Sequence, residues 1–154
     1  SSDLNELLSE YTKTVNEFLA EVDGVSKGDL LKSPKADEWS VGFVIHHMAD
    51  SEVHFASRFL NALAEDKPKI MPFNEEVYPE KLNYAARDVA ASKAAVASLS
   101  IFVTGLLMGI KPNDWNRISN HPENGEMTLI DLLTKVISHY KAHIGQIQTI
   151  KSAL

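Results

Sequence analysis

The feature that most constrains this chain is its apolar periodicity. Four long stretches repeat hydrophobic residues three or four positions apart, and no stretch reads convincingly as a strand. The first runs from about Asp3 to Val22, with Leu4, Leu7, Leu8, Tyr11, Val15, Phe18, Leu19 and Val22 forming one stripe. Asp3 with Glu6 resembles a capping box, and Gly24 suits a stop. The second should begin after Ser40, a good N-cap, and end near Asp66 before Pro68. The third is predicted over about Asn83 to Met108. Its early alanines favour helix, and Leu99, Phe102, Val103, Leu106 and Leu107 supply a core face. The fourth should start at Thr128, where Asp131 completes a capping box, and continue to about Lys151. Helices of about 20 to 25 residues are roughly 30 to 38 Å long, which matches them for a four-helix bundle.

The connections are long. Val25 to Trp39 carries Gly28 and Pro34, with Leu30 and Leu31 as expected anchors. Glu65 to about Leu82 carries Pro68, Pro72 and Pro79, and a short helical turn is predicted around Asn74 to Val77. Lys111 to Met127 carries Pro112, Pro122 and Gly125. Such lengths permit crossovers, and loops of this kind often lie over a site. Periodicity does not choose between a crossover and a simple up-and-down topology. The expectation is an all-α four-helix bundle with long crossover connections, as one domain over residues 1–154.

Composition narrows the function classes. The 154 residues suit one domain with a core that needs no staples, and 44% are hydrophobic. Fifteen basic against 21 acidic residues leave −6, with no Lys/Arg cluster, which opposes nucleic acid as the main partner. Cysteine is absent, so disulfides and thiolate metal sites are excluded. The N-terminal residues do not read as a signal peptide. The apolar run Ile101 to Ile110 is broken by Thr104, Gly105 and Gly109, and is shorter than the roughly 20 residues a bilayer needs. A cytoplasmic protein without a membrane partner is expected.

Six histidines carry the chemistry: His46, His47, His54, His121, His139 and His143. His139 and His143 stand four apart on the last helix, which puts their Cβ atoms about 6 Å apart on one face. Two imidazoles so placed can converge on one ion at about 2.0 to 2.1 Å each. An isolated HxxxH is a weak signal, and packed core or rim histidines are its plain alternative. A third ligand would decide the matter. On the second helix, His47 shares a face with Val44, Ser51, His54 and Arg58, while His46 lies about 100° around. Periodicity leaves either possible, with a preference for His47. His54 lies about 10 Å further along the axis and should not reach the same ion.

The segment from Glu38 through Trp39, Ser40, His46 and His47 to Glu52 resembles the start of the second helix in the DinB/YfiT-like superfamily. There a metal-binding His follows the Trp by eight residues, which lands on His47. The family's other two ligands look like His139 and His143, followed by Gln146. The lead-in Gly125 to Leu133 is also similar, and the resemblance covers essentially the whole chain in helix order and length.

The resemblance implies a four-helix bundle with a three-His site, commonly holding zinc or nickel, and often a homodimer. Some relatives are transferases or isomerases that use low-molecular-weight thiols such as bacillithiol or mycothiol, others are proposed metal-dependent hydrolases, and many have no known activity. Three neutral imidazoles leave a coordination position open, which marks a catalytic-type site. With no cysteine in the chain, any thiol must arrive as a cosubstrate. The expectation is therefore a divalent-metal enzyme acting on a small molecule. A non-catalytic metal-binding or dimeric interaction module is the alternative.

Residues around the site are weighed individually. Glu52 is a candidate base or acceptor, but five residues place it about 140° away from His47, so a surface or interhelical salt bridge competes. Asp50 has similar status. Gln146 is placed to hydrogen-bond an imidazole. Trp39 is expected to plug the bundle end rather than stack on substrate. Trp115, His121 and Tyr78 lie in connections that could roof the site, with loop anchoring favoured.

Overall fold

The computed structural model describes the backbone of residues 2–154 and the side chains of residues 3–154. Four long helices form the bundle: α1 (Ser2–Asp23), α2 (Val41–Ala64), α4 (Val89–Met108) and α5 (Leu129–Ser152). The short α3 (Tyr78–Lys81) interrupts the long connection after α2. A 3-10 turn (Pro112–Asn116) and two strands, β1 (Ile118–His121) and β2 (Gly125–Thr128), lie between α4 and α5.

Helix α1 packs along α5 and α4, and α2 packs along the same two. Thus α1 and α2 face each other across the bundle, as do α4 and α5, and the first and last connections are crossovers. The core runs down the middle, with Tyr11, Phe18, Ile45, Met48, Phe59, Leu132, Leu133 and Ile147 essentially sealed.

Local chemistry sets the ends. The Ser40 side chain accepts from the Phe43 N–H, as expected of an N-cap. Thr128 and Asp131 make a full capping box: Asp131 N–H donates to Thr128 Oγ1 at 3.1 Å, and Thr128 N–H donates to Asp131 Oδ2 at 2.9 Å. Helix α1 begins one residue before Asp3, which therefore sits in its first turn. Gly42 is required by close approach: its N–H donates to Leu30 O at 2.8 Å, and a Cβ there would meet that oxygen at 2.8 Å. This contact anchors the first crossover through Leu30, whereas Leu31 is exposed.

Four expectations are corrected or refined. Helix α4 starts at Val89, not Asn83, because Asn83 has a positive φ of 52° and Asp88 caps Ala90. The residues between are drawn onto α2, where Tyr84 and Arg87 both donate to Asp50. Phe102 is half exposed, while Val103 and Leu107 face the core as expected, joined by Val96, and Leu99 and Leu106 pack against it. The turn expected around Asn74 to Val77 is present, closed by Val77 N–H to Asn74 O at 3.3 Å, but it runs further, into α3. The connection before α5 contains an antiparallel hairpin, pairing Ile118 with Thr128 and His121 with Gly125. Four-residue strands are too short to show an alternating pattern in sequence.

The hairpin and the connection after α2 are joined. Ile70 N–H donates to Asn120 O and Asn120 N–H to Pro68 O, each at 2.8 Å. This seam ties the connection to the hairpin beside the cleft that Pro72, Phe73 and Glu75 help to line. Helix α4 is apolar and long enough to cross a membrane by length and composition, with mean hydropathy 1.6 over its best window. The alanine-rich half extends the Ile101–Ile110 run, which alone is too short. Its exposed residues Ala94, Ser98, Ile101, Gly105 and Met108 fall on one stripe.

Candidate metal centre

α2 and α5 lie side by side, and that placement brings three imidazoles together. His47 Nε2 lies 3.1 Å from His139 Nε2, and His143 Nε2 lies 3.0 Å from the same atom. The three ligand atoms all fall within 4.8 Å of one another. Two ligands at 2.0 to 2.1 Å from a tetrahedral ion are about 3.3 Å apart, so this spacing nearly matches a shared centre. Three Nε2 atoms facing each other cannot all be satisfied by protons. A neutral imidazole offers a donor at one nitrogen only, and a second donor requires the charged form.

The charged form is disfavoured here. Burial, reinforced by the charge of His143, holds the His47 pKa down to about 4. Burial and then the charges of His143, His47 and Lys135 hold His139 at about 3. Burial also lowers His143, partly offset by Gln146 and Glu75. Gln146 Oε1 accepts from His143 Nδ1 at 2.7 Å, which leaves the Nε2 lone pair directed at the cluster. Neutral rings with free lone pairs, one in a fixed tautomer, fit a divalent ion.

The surroundings sort the remaining candidates. Trp39 packs on the core edge with its ring 5.0 Å from that of His47, so it both closes the bundle end and borders the site. His46 points the other way, toward α4, where Nδ1 meets Ser92 Oγ at 2.7 Å. His54 meets the Tyr78 hydroxyl at 2.9 Å and stacks on Phe73, which makes Tyr78 a loop anchor. Trp115 is buried in the core. Asp50 is held by Arg87 and Tyr84.

Glu52 is neither a surface residue nor a salt-bridge partner. It is 2% exposed, and its Oε1 accepts from the hydroxyls of Tyr11 at 2.8 Å and Tyr140 at 2.6 Å. These bonds tie α2 to α1 and α5 on a face turned from the imidazoles, as 140° of helix rotation requires. Burial raises the Glu52 pKa, against the lowering effect of both tyrosines.

Sequence reasoning missed Glu75. The connection after α2 sets its Oε2 3.6 Å from His47 Nε2, with the carboxylate half exposed. Nothing periodic marks a residue in an irregular loop. Glu75 also borders two openings. One cleft, of about 340 Å³, is lined by Ser51, Phe55, Arg58, Pro72, Phe73, Glu75, His121, Lys135, His139 and His143. The other lies beside Trp39, His143 and Gln146. The connection after α2 and the hairpin residue His121 both line the first cleft. Ser51 and Lys135 could have been found as residues one turn from His47 and His139.

Comparison with known proteins agrees with this architecture. The DinB superfamily signature matches residues 10–147. A Bacillus mycoides protein named as a proposed metal-dependent hydrolase is 27% identical over 151 residues, covering 98% of this chain and 87% of its own. A protein of Oceanobacillus iheyensis with the same kind of name is 26% identical over 147 residues, covering 96% and 85%. Among solved structures, YfiT from Bacillus subtilis, described as a candidate metal-dependent hydrolase with an unusual four-helix bundle topology, superposes with a TM-score of 0.89. It has 24% identity and covers 99% of this chain and 87% of its own. A mycothiol-dependent maleylpyruvate isomerase shares the fold at a TM-score of 0.76 and 12% identity, covering 94% of this chain and 60% of its own.

Proposed function

This chain belongs to the DinB superfamily, and we propose that it is a metal-dependent enzyme acting on a small molecule, with His47, His139 and His143 holding one divalent ion. The observation that carries the proposal is the convergence of three Nε2 atoms with no proton arrangement that satisfies them. The names of the relatives, metal-dependent hydrolases, support it. Imidazole ligands suit zinc or nickel. When bound, such an ion would supply Lewis acidity toward a water or a thiol.

The chain's own groups supply the rest. Glu75, exposed and near His47, is placed to take a proton from a nucleophile entering the cleft. Gln146 orients His143, and Trp39 and Phe55 keep one side of the cluster dry. Hydrolysis needs only water. Thiol transfer is the second reading, supported by the mycothiol dependence of the isomerase that shares the fold; with no cysteine in the chain, the thiol would arrive as a cosubstrate.

Elemental analysis of untagged protein, followed by turnover assays on ester, amide and thiol-plus-electrophile panels, tests this. About one ion per chain and turnover lost in His139→Ala are expected. No bound ion in protein purified and reloaded without chelator would sink the proposal. Stoichiometric metal with no turnover, and chelation that lowers thermal stability only, would favour a non-catalytic module.

We also propose that the protein forms a homodimer through α4. Ile101 and Met108, each 73% exposed, lie with Ala94, Ser98 and Gly105 on a stripe without charge, suited to self-association. Light scattering should show a dimer for the wild type and a monomer for Ile101→Asp.

A further inference from the structure

We propose that the cleft between α2 and α5 recognises a small acid, binding its carboxylate or phosphate group at Arg58 and Lys135 while the rest of the molecule extends to the three imidazoles. The inner end of this arrangement rests on the metal-site reading above; the acid subsite stands on its own residues.

Arg58 is the first reason. Its Nη2 donates to Met71 O at 3.1 Å, and its guanidinium lies 5.1 Å from the Phe55 ring centre and 5.9 Å from that of Phe73. It is held in place but has no carboxylate partner among the described residues. The other two arginines, Arg87 and Arg117, each pair with an aspartate. A guanidinium fixed by aromatic faces, with N–H groups to spare, fits a planar oxyanion.

Lys135 is the second. It stands one helical turn before His139, lines the same cleft, and makes no ion pair among the described residues. After burial, Lys135 and Arg58 in turn lower the His121 pKa, so both cations act on one point of the wall. Two cations without an ion pair among the described residues share one cleft, with Glu75 as the carboxylate in its lining, in a chain whose net charge is −6.

Ser51 is the third. Its Oγ is buried, has no hydrogen-bond partner, and belongs to the lining of this cleft. Among the described residues, four buried side-chain polar atoms lack a partner, and Ser51 Oγ is the one whose residue lines this cleft, so a ligand atom there would be its complement. Ser51 lies between Arg58 and His47 on α2, one turn from His47. One turn likewise separates Lys135 from His139 on α5, so each helix carries a cation along the same cleft as its imidazole.

Calorimetric titration of glutarate, propyl phosphate and neutral glutaramide into nickel-loaded and metal-free protein tests the proposal. Glutarate or propyl phosphate should bind about tenfold or more tightly than glutaramide, and whichever is tighter identifies the acid class. Arg58→Gln and Lys135→Met should each remove most of that preference while nickel stoichiometry stays unchanged. Lys135 is exposed, so its variant carries the test if Arg58→Gln does not fold. Equal affinity for all three probes, or a preference that survives both substitutions, overturns the acid subsite. If the wild type takes up no nickel, the metal reading fails, and the metal-free titration still decides the acid subsite.

Discussion

Helix α2 carries two buried polar centres five residues apart, and they differ in kind. Around Glu52, two tyrosine hydroxyls converge on one carboxylate oxygen, and α1, α2 and α5 seal the group from water. Around His47, three imidazoles converge on one another with no acceptor between them, and a cleft opens beside them. The first centre ties three helices together, although its second oxygen, Oε2, is buried without a hydrogen-bond partner among the described residues. The second gathers three neutral imidazole nitrogens at the wall of a cleft. Burial, a shifted pKa and an unsatisfied polar atom occur at both, so none of these alone marks a functional site. What separates them is access and ligand chemistry: the imidazoles border a cleft, and Glu52 is sealed.

The sharpest way to break this contrast is to remove one member from each centre. His139→Ala should weaken zinc or nickel binding by more than about a hundredfold, since changes outside the ligand shell alone cost 10 to 100-fold. Metal titration followed by competition with a chelator reads this, and unaltered affinity would erase the distinction. Glu52→Ala should instead lower the unfolding free energy by about 2 to 3 kcal/mol, because two buried hydroxyls lose their acceptor. Urea denaturation measures it, and the folded fraction should keep its full metal stoichiometry. Loss of metal without loss of stability would make Glu52 part of the site after all.

Smaller effects sharpen the comparison. Gln146→Ala should reduce metal affinity by about tenfold, because His143 loses the acceptor that fixes its tautomer. Isothermal titration distinguishes this from an unchanged site. The two centres should also oppose each other in pH dependence. His47 and His139 have folded pKa values of about 4 and about 3, below the ordinary histidine value of 6.5. The unfolded chain therefore takes up protons first. Their contribution to the metal-free protein is present above about pH 6.5 and is lost as pH falls toward 4 and 3. Glu52, raised by burial, has the opposite sign, favouring the fold as pH falls through its folded value. Thermal melts of the metal-free protein between pH 7 and 4 should show a falling midpoint, and His47→Phe should flatten that fall.

Much of this was legible in the sequence because it is periodic. The apolar stripes gave four helices, and Ser40 and the Thr128–Asp131 pair gave two of their starts. The spacing of His139 and His143 gave a pair on one face, and Gln146 fell in reach of the second ring. Propensity misled at Asn83 to Asp88, where Ala85 and Ala86 suggest helix but Arg87 and Tyr84 are drawn to Asp50 on α2. Glu52 was read correctly as facing away from His47, yet its burial depended on Tyr11 and Tyr140, from α1 and α5.

The sequence by itself therefore determined what repeats within one helix: the elements, their caps, the apolar faces, and the imidazole pair on α5. Only the tertiary structure brought His47 onto that pair, placed Glu75 beside the cluster, set Arg58 and Lys135 along one cleft, and made two connections into crossovers. The reason is geometric. A helix fixes the relation of residues three and four apart through its own hydrogen bonds, whereas the meeting of residues some ninety positions apart depends on how whole helices pack.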